Sequence, residues 1–292
     1  MATRKPRIRL VVTDLDNTLY DWVTCFTIAF YRMVAVAAER LGVDQERLID
    51  ELREIHRRYG NSEQPFALME TPTVLERYPG ANRPRLAREL DDAFQAFNQA
   101  RRQHLRLYDG VLDALQRLQQ ASIPVAVHTE ATVPNALYRL RALGLEQLFE
   151  RLYAVTPAGQ GHYDPDRGER LLNTPLKVVS LSEKARKPDP RLVTEICRQM
   201  EVPAGETLYV GDSLRRDIDM ARQAGAWTAW AQYGTRFDPA LWEQLVRVTH
   251  WSVQEVQAAK RAYLSSRDIT PDLVLQRSPV EMFDRFSFLG FE

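Results

Sequence analysis

The sequence predicts an α/β fold, a doubly wound, Rossmann-like parallel sheet carrying a helical cap domain. Short β-branched runs without polar alternation recur along the chain, which marks strands covered on both faces. Amphipathic stretches of helical period separate most of them, the alternation that builds a parallel sheet. A long segment after the first run carries helical patterns and no convincing strand.

The first strand is expected at Ile8 to Thr13, closing on the aspartates of VVTDLDNTLYDW, residues 11 to 22. The stretches CFTIAFYRMVAVAAERLG, QERLIDELREIHRRYG and RPRLARELDDAFQAFNQARRQHL then read as an all-helical insertion, which leaves the sheet after that strand and returns near Asp109-Gly110. VLDALQRLQQA is the next helix and precedes a strand in PVAVHT, 124 to 129. LVTEICRQM, opened by Asp189 as N-cap and Pro190 in the first turn, precedes LYVGD, 208 to 212. IDMARQAGA, stopped by Gly225, precedes WTAWAQ, 227 to 232. TPAGQGHYDPDRGERLLNTP, 156 to 175, is rich in Gly, Pro and Asp and reads as a long loop or small excursion. The end of the chain brings Phe283, Phe286, Phe288 and Phe291, expected to dock on the body or on a neighbouring subunit. The expected division is therefore a discontinuous core at 1–20 and 109–267, a cap at 21–108 and a C-terminal tail at 268–292.

At 292 residues the chain can bury a substantial core. Lys plus Arg and Asp plus Glu both number 39, so no general field draws nucleic acid or an anionic membrane, and neither is expected as a partner. The only cysteines, Cys25 and Cys197, lie far apart, which argues against a disulfide framework or a thiolate metal site and favours a reducing cytoplasm. The basic opening MATRKPRIR is followed by too short an apolar run for a signal peptide, and no later stretch is expected to span a bilayer. His56, His104, His162 and His250 lack metal-ligand spacing, and His128 reads as a packed or hydrogen-bonded strand residue.

Ligands of an open α/β sheet bind beyond the carboxyl ends of its strands. Those ends carry Asp14 and Asp16, then Thr129, then Asp212 with Asp217 five residues on in GDSLRRD, while Lys187 lies between in ARKPDP. Carboxylates gathered in one cleft repel one another unless a hard cation joins them, and Mg²⁺ takes carboxylates, water and phosphate oxygens. Lys187 and the Thr129 hydroxyl are then placed to hold phosphoryl oxygens, with one aspartate attacking phosphorus and its neighbour moving the proton.

In order, DLDNTL, a strand ending in Thr129, K-P-x-P at Lys187 and GDSLRRD resemble the four motifs of the haloacid dehalogenase-like superfamily, most of whose members are phosphatases. The likeness covers residues 7 to 20 and 109 to 264, and the helical segment matches the cap that this family inserts after its first motif. The resemblance implies Asp14 as nucleophile and Asp16 as general acid and base. It implies Mg²⁺ held by Asp14, the Asp16 backbone carbonyl and Asp212, with Asp217 acting through a metal-bound water or by positioning Lys187. Thr129 and Lys187 are implied to bind the phosphoryl oxygens. Where relatives usually follow the threonine with Asn this chain has Glu130, whose backbone N–H is expected to serve while its side chain turns away or pairs with an Arg. An acid at Asp16 favours phosphate esters over halides or phosphonates. Tyr20, Asp21 and Trp22 are expected either to touch the leaving group or to brace the hinge.

The resulting expectation is a Mg²⁺-dependent phosphatase of small phosphomonoesters, of the nucleotide, sugar phosphate, phosphoglycolate or flavin mononucleotide type, as a monomer or homodimer. The alternatives are a phosphomutase and a non-catalytic interaction protein that keeps the fold.

Overall fold

The computed structural model describes residues 5–64, 66–156, 172–182, 184–252, 254, 256 and 269–288. Most of the 156–175 excursion lies outside the described residues, as do His162 and Phe291.

The main sheet has seven parallel strands in the order β5-β4-β3-β2-β6-β7-β8. The expected first strand is broken at Arg9 into β1 (Arg7–Ile8) and β2 (Leu10–Thr13), and β2 takes the middle of the sheet. On one side lie β3 (Val125–Thr132), β4 (Arg151–Val155) and β5 (Lys177–Leu181). On the other lie β6 (Thr207–Gly211), β7 (Trp227–Ala231) and β8 (Leu273–Leu275). The chain thus reverses its direction of growth at β2, and crevices form at such a reversal beyond the carboxyl ends.

Why these runs lack alternation is visible in the packing. Val11, Val125, Val127, Leu208 and Val210 enter one apolar cluster, while Leu10, Val12, Ala126 and Tyr209 enter another. Neighbouring residues face opposite sides of a strand, so both faces of the sheet are buried. The strands β4, β5 and β8 carry no prior expectation. β5 is only half-buried at an edge, and β8 is three residues long.

Between β2 and β3 come α1 (Trp22–Leu41), α2 (Gln45–Tyr59), α3 (Pro72–Arg77), α4 (Arg83–Glu89), α5 (Asp91–His104) and α6 (Val111–Gln120). Asp21 caps α1 by accepting the Thr24 N–H at 2.9 Å, and Gly42 ends it at φ 68°. α1 meets the length and hydropathy of a membrane span, contrary to the expectation that no stretch does. Its apolar residues Val23, Phe26, Phe30 and Val34 are buried in a core of their own together with α2 and α5. After β3 come α7 (Val133–Ala142), α8 (Pro190–Gln199) and α9 (Pro239–Val248). α9 belongs by sequence position to the sheet domain, yet Leu245 and Val248 join the α1–α2 core, because its apolar face of Leu241, Trp242, Leu245 and Val248 lies against those helices.

Residues 269–288 of the aromatic tail dock on the body. β8 extends the sheet beside β7, β9 (Ser287–Phe288) pairs with β1, and Phe286 sits edge-on against Trp227 at 5.9 Å.

The loop after β2 is fixed from below by a turn at Gln232–Thr235. Tyr233 donates its hydroxyl to the Thr18 carbonyl at 2.8 Å, and a Cβ on Gly234 would fall 1.7 Å from the Asn17 carbonyl oxygen. Asn17 itself has φ 56°, so this backbone has no slack to give. Gly234→Ala is predicted to destabilise the fold by about 1–3 kcal/mol, the range for overpacking. Urea unfolding checks this, and an unchanged midpoint contradicts it.

Candidate active site

The carboxyl ends of β2, β3 and β6 lie side by side, because Thr13 is in register with Val127 on one side and Val210 on the other. Asp14 and Asp16 follow β2, Thr129 and Glu130 are in β3, and Asp212 follows β6. Asp217 comes round on a π-helical turn, Leu214–Asp219. A Cβ on Gly211 would meet the Asp217 side chain at 2.5 Å, so this approach requires glycine. Lys187 reaches in from the segment before α8.

The Lys187 ammonium sits between two carboxylates, 2.5 Å from Asp14 Oδ1 and 2.7 Å from Asp217 Oδ1. All three side chains are buried. Burial alone lowers the Lys187 pKa, but Asp14 and Asp217 outweigh it and hold the ammonium well above its ordinary value. Asp217 Oδ2 accepts the Ser213 N–H at 3.0 Å, which fixes the carboxylate that fixes the lysine. Burial pushes Asp14 up to about 6, against the pull of Lys187, with the Asp217 and Asp16 charges adding to the rise. Burial, then the charges of Asp217 and Asp14, pushes Asp212 well above the usual carboxylate range.

Oxygens of Asp14, Asp212 and Asp217 lie within 4.8 Å of one another. Three hard oxygen donors, two of them raised in pKa by burial and mutual repulsion, suit a divalent cation, which favours their ionised forms. The Asp14–Asp217 side of this cluster is already bridged by Lys187, so a cation there would share the neutralisation with the lysine.

Asp16 is set apart from that cluster. Tyr20 donates its hydroxyl to Asp16 Oδ1, and Arg139 Nη1 lies 3.0 Å from Oδ1 and 3.2 Å from Oδ2. Burial raises the Asp16 pKa, with Arg139 opposing. Its side chain keeps 26 % exposure, against 11 % for Asp14. Tyr20 is fully buried, so its hydroxyl acts on Asp16 instead of reaching open space, and Trp22 gives its indole N–H to Glu63 at 3.0 Å.

Thr129 is buried and its hydroxyl accepts the Ala131 N–H at 3.1 Å. The Glu130 side chain pairs with Arg216 and accepts the Lys187 backbone N–H at 3.0 Å. It therefore anchors the lysine segment. His128 is buried against the Tyr209 hydroxyl at 2.9 Å, and burial drives its pKa well below the ordinary value. Sequence reasoning missed Arg139 and Glu63. Arg139 gives a signal in retrospect, since it lies among the buried Ala136, Leu137 and Leu140 of an amphipathic helix. Glu63, in an irregular segment, gives none.

The family model described as haloacid dehalogenase-like hydrolase matches residues 8–174, more than half the chain. The chain belongs to the haloacid dehalogenase-like hydrolase family. A second model of that family, HAD-hydrolase-like, matches residues 184–254. Among curated relatives, a glyceraldehyde 3-phosphate phosphatase of Methanopyrus kandleri is 25 % identical over 78 % of this chain and 85 % of its own. An N-acetylmuramic acid 6-phosphate phosphatase of Pseudomonas aeruginosa is 27 % identical over 85 % of this chain and 93 % of its own. Among solved structures, a 2-haloacid dehalogenase from Pseudomonas syringae has a TM-score of 0.54 at 22 % identity, covering 92 % of this chain and 94 % of that one. A HAD phosphatase from Thermococcus onnurineus also has 0.54, at 14 % identity, covering 97 % and 100 %. These haloacid dehalogenase-like structures share the fold described above.

If Lys187 neutralises two buried acids, Lys187→Met leaves them unpaired, and breaking such a buried pair costs about 3–5 kcal/mol. Thermal unfolding in a chelator is predicted to fall accordingly, with a millimolar divalent cation restoring part of the loss. A melt unchanged in chelator contradicts the bridging role.

Proposed function

We propose that this chain is a Mg²⁺-dependent phosphatase of small phosphomonoesters that works through a phospho-aspartate at Asp14. As a haloacid dehalogenase-like enzyme with phosphatases among its curated relatives, it is a hydrolase acting on phosphoric monoesters. The observation that carries the mechanism is the Lys187 ammonium held against Asp14 at 2.5 Å by Asp217, with Asp212 alongside and Asp16 two residues on.

Asp14, Asp212, the backbone carbonyl of Asp16 and Asp217 would hold Mg²⁺, with Asp217 also orienting Lys187. The ion supplies charge neutralisation for the carboxylates and the phosphoryl oxygens. Asp14 forms a bond to phosphorus while the ester P–O bond breaks, and Asp16 gives its proton to the departing alkoxide. Asp16, now ionised, takes a proton from water as that water attacks phosphorus. The P–O bond to Asp14 then breaks and releases inorganic phosphate, leaving both aspartates as they began. Lys187, the Thr129 hydroxyl and the Glu130 N–H bind the phosphoryl oxygens.

We read residues 21–108 as a cap that closes over the site and excludes water during the first transfer, and 1–20 with 109–267 as the catalytic core. Relatives named for glyceraldehyde 3-phosphate, phosphoglycolate and N-acetylmuramic acid 6-phosphate support a small phosphorylated sugar or organic acid as substrate. The free thiols of Cys25 and Cys197, both buried, support a cytoplasmic setting.

Asp14→Asn removes the nucleophile with little change in volume. Turnover of any accepted phosphomonoester is predicted to fall by about a thousandfold or more while the circular dichroism spectrum is retained. Activity near that of the unaltered protein would refute the assignment.

A further inference from the structure

Glu63 is a half-buried carboxylate, its side chain 17 % exposed, that the chemistry above does not use. It lies in the segment between α2 and the turn at Ala67–Glu70, on the cap side of the molecule. Its Oε1 pairs with Arg139 of α7 and accepts the Trp22 indole N–H at 3.0 Å, while Oε2 accepts the Asn135 amide N–H at 3.4 Å. Its own backbone N–H donates to Asn61 Oδ1 at 2.9 Å, which holds the segment in shape. A single cap-side carboxylate therefore grips both α7 and the residue that opens α1.

Arg139 carries this grip to the reacting end. Its side chain is 7 % exposed and lies between two carboxylates, Glu63 and Asp16. Burial alone lowers the guanidinium pKa, and the two carboxylates more than reverse that. An arginine in such a place has its planar fork fixed by both partners, whereas one partner alone leaves it free to slide or turn. On Asp16, Oδ1 is engaged by both Tyr20 and Arg139, and Oδ2 by Arg139 alone at 3.2 Å. Oδ2 is thus the oxygen with acceptor capacity left to carry a proton.

We propose that Arg139, held in place by the cap-borne Glu63, is a positioning residue that turns Asp16 so that Oδ2 delivers its proton to the leaving alkoxide. Seating of segment 61–64 on α7 then couples cap closure to the orientation of the acid. The inference rests on the phosphatase reading and adds to it a dependence on the leaving group. An alkyl ester needs that proton as its P–O bond breaks; an aryl ester with a stable phenolate needs it far less.

The test compares glycerol phosphate with 4-nitrophenyl phosphate in the full-length protein, using kcat/KM because it reports the first phosphoryl transfer. Glu63→Gln keeps the size and hydrogen-bonding shape of Glu63 but removes its charge, and Arg139→Lys keeps the charge but loses the fork. For each variant, kcat/KM on glycerol phosphate is expected to fall by about tenfold or more, part of the range general acids contribute, and on the aryl ester by less than about threefold. Equal losses on the two esters, or no loss on either, overturn the positioning role while leaving the phosphatase reading intact. If the unaltered protein hydrolyses neither ester, both fall together. Should Arg139→Lys fail to fold, Glu63→Gln decides alone.

Discussion

The site is organised by one buried ammonium placed between two buried carboxylates. Lys187 lies 2.5 Å from Asp14 and 2.7 Å from Asp217, in a place where any of the three charges alone would be costly. The rest of the architecture serves that meeting. The reversal of strand order at β2 puts the ends of β2 and β6 next to each other, Gly211 lets the Asp217 side chain lie against the backbone, and the Glu130 carboxylate anchors the lysine segment by accepting the Lys187 backbone N–H. Because Lys187 meets only part of the negative charge, Asp212 and the raised pKa of Asp14 leave charge that a divalent cation would neutralise.

A second charge relay runs outward from Asp16 to Arg139, Glu63 and Trp22, and its polarity is opposite: here one guanidinium lies between two carboxylates. Among the described residues the two relays share no side chain, although the Asp16 charge still bears on Asp14. Asp14 is bridged by Lys187, from the segment before α8, whereas Asp16 is linked through Arg139 to Glu63, in the segment after α2. The docking of α9 onto α1 and α2, through Leu245 and Val248, gives those helices a further attachment to the C-terminal half of the chain.

The central strands were legible in the sequence because burial on both faces demands unbroken apolar runs, as at Leu10–Thr13 and Thr207–Gly211. Edge strands need no such run, and β5 and β8 accordingly left no readable mark. The residues of the lysine cluster were legible because each ends a strand or sits in a short fixed spacing. Arg139 and Glu63 were not, since a pair formed between a helix and an irregular segment 76 residues apart has no local spacing to betray it. The docking of α9 on α1 and α2 was hidden for a related reason: an amphipathic helix announces an apolar face but not the surface it covers.

The central claim is that Asp14 becomes covalently phosphorylated, and trapping that acyl phosphate tests it directly. The protein is mixed with an accepted phosphomonoester and Mg²⁺, quenched in acid within milliseconds, reduced with borohydride and digested for mass spectrometry. Reduction of the acyl phosphate at position 14 to a homoserine, dependent on substrate, is the predicted result. Substrate-dependent modification at another residue, or none at Asp14 while phosphate is being released, would contradict the account.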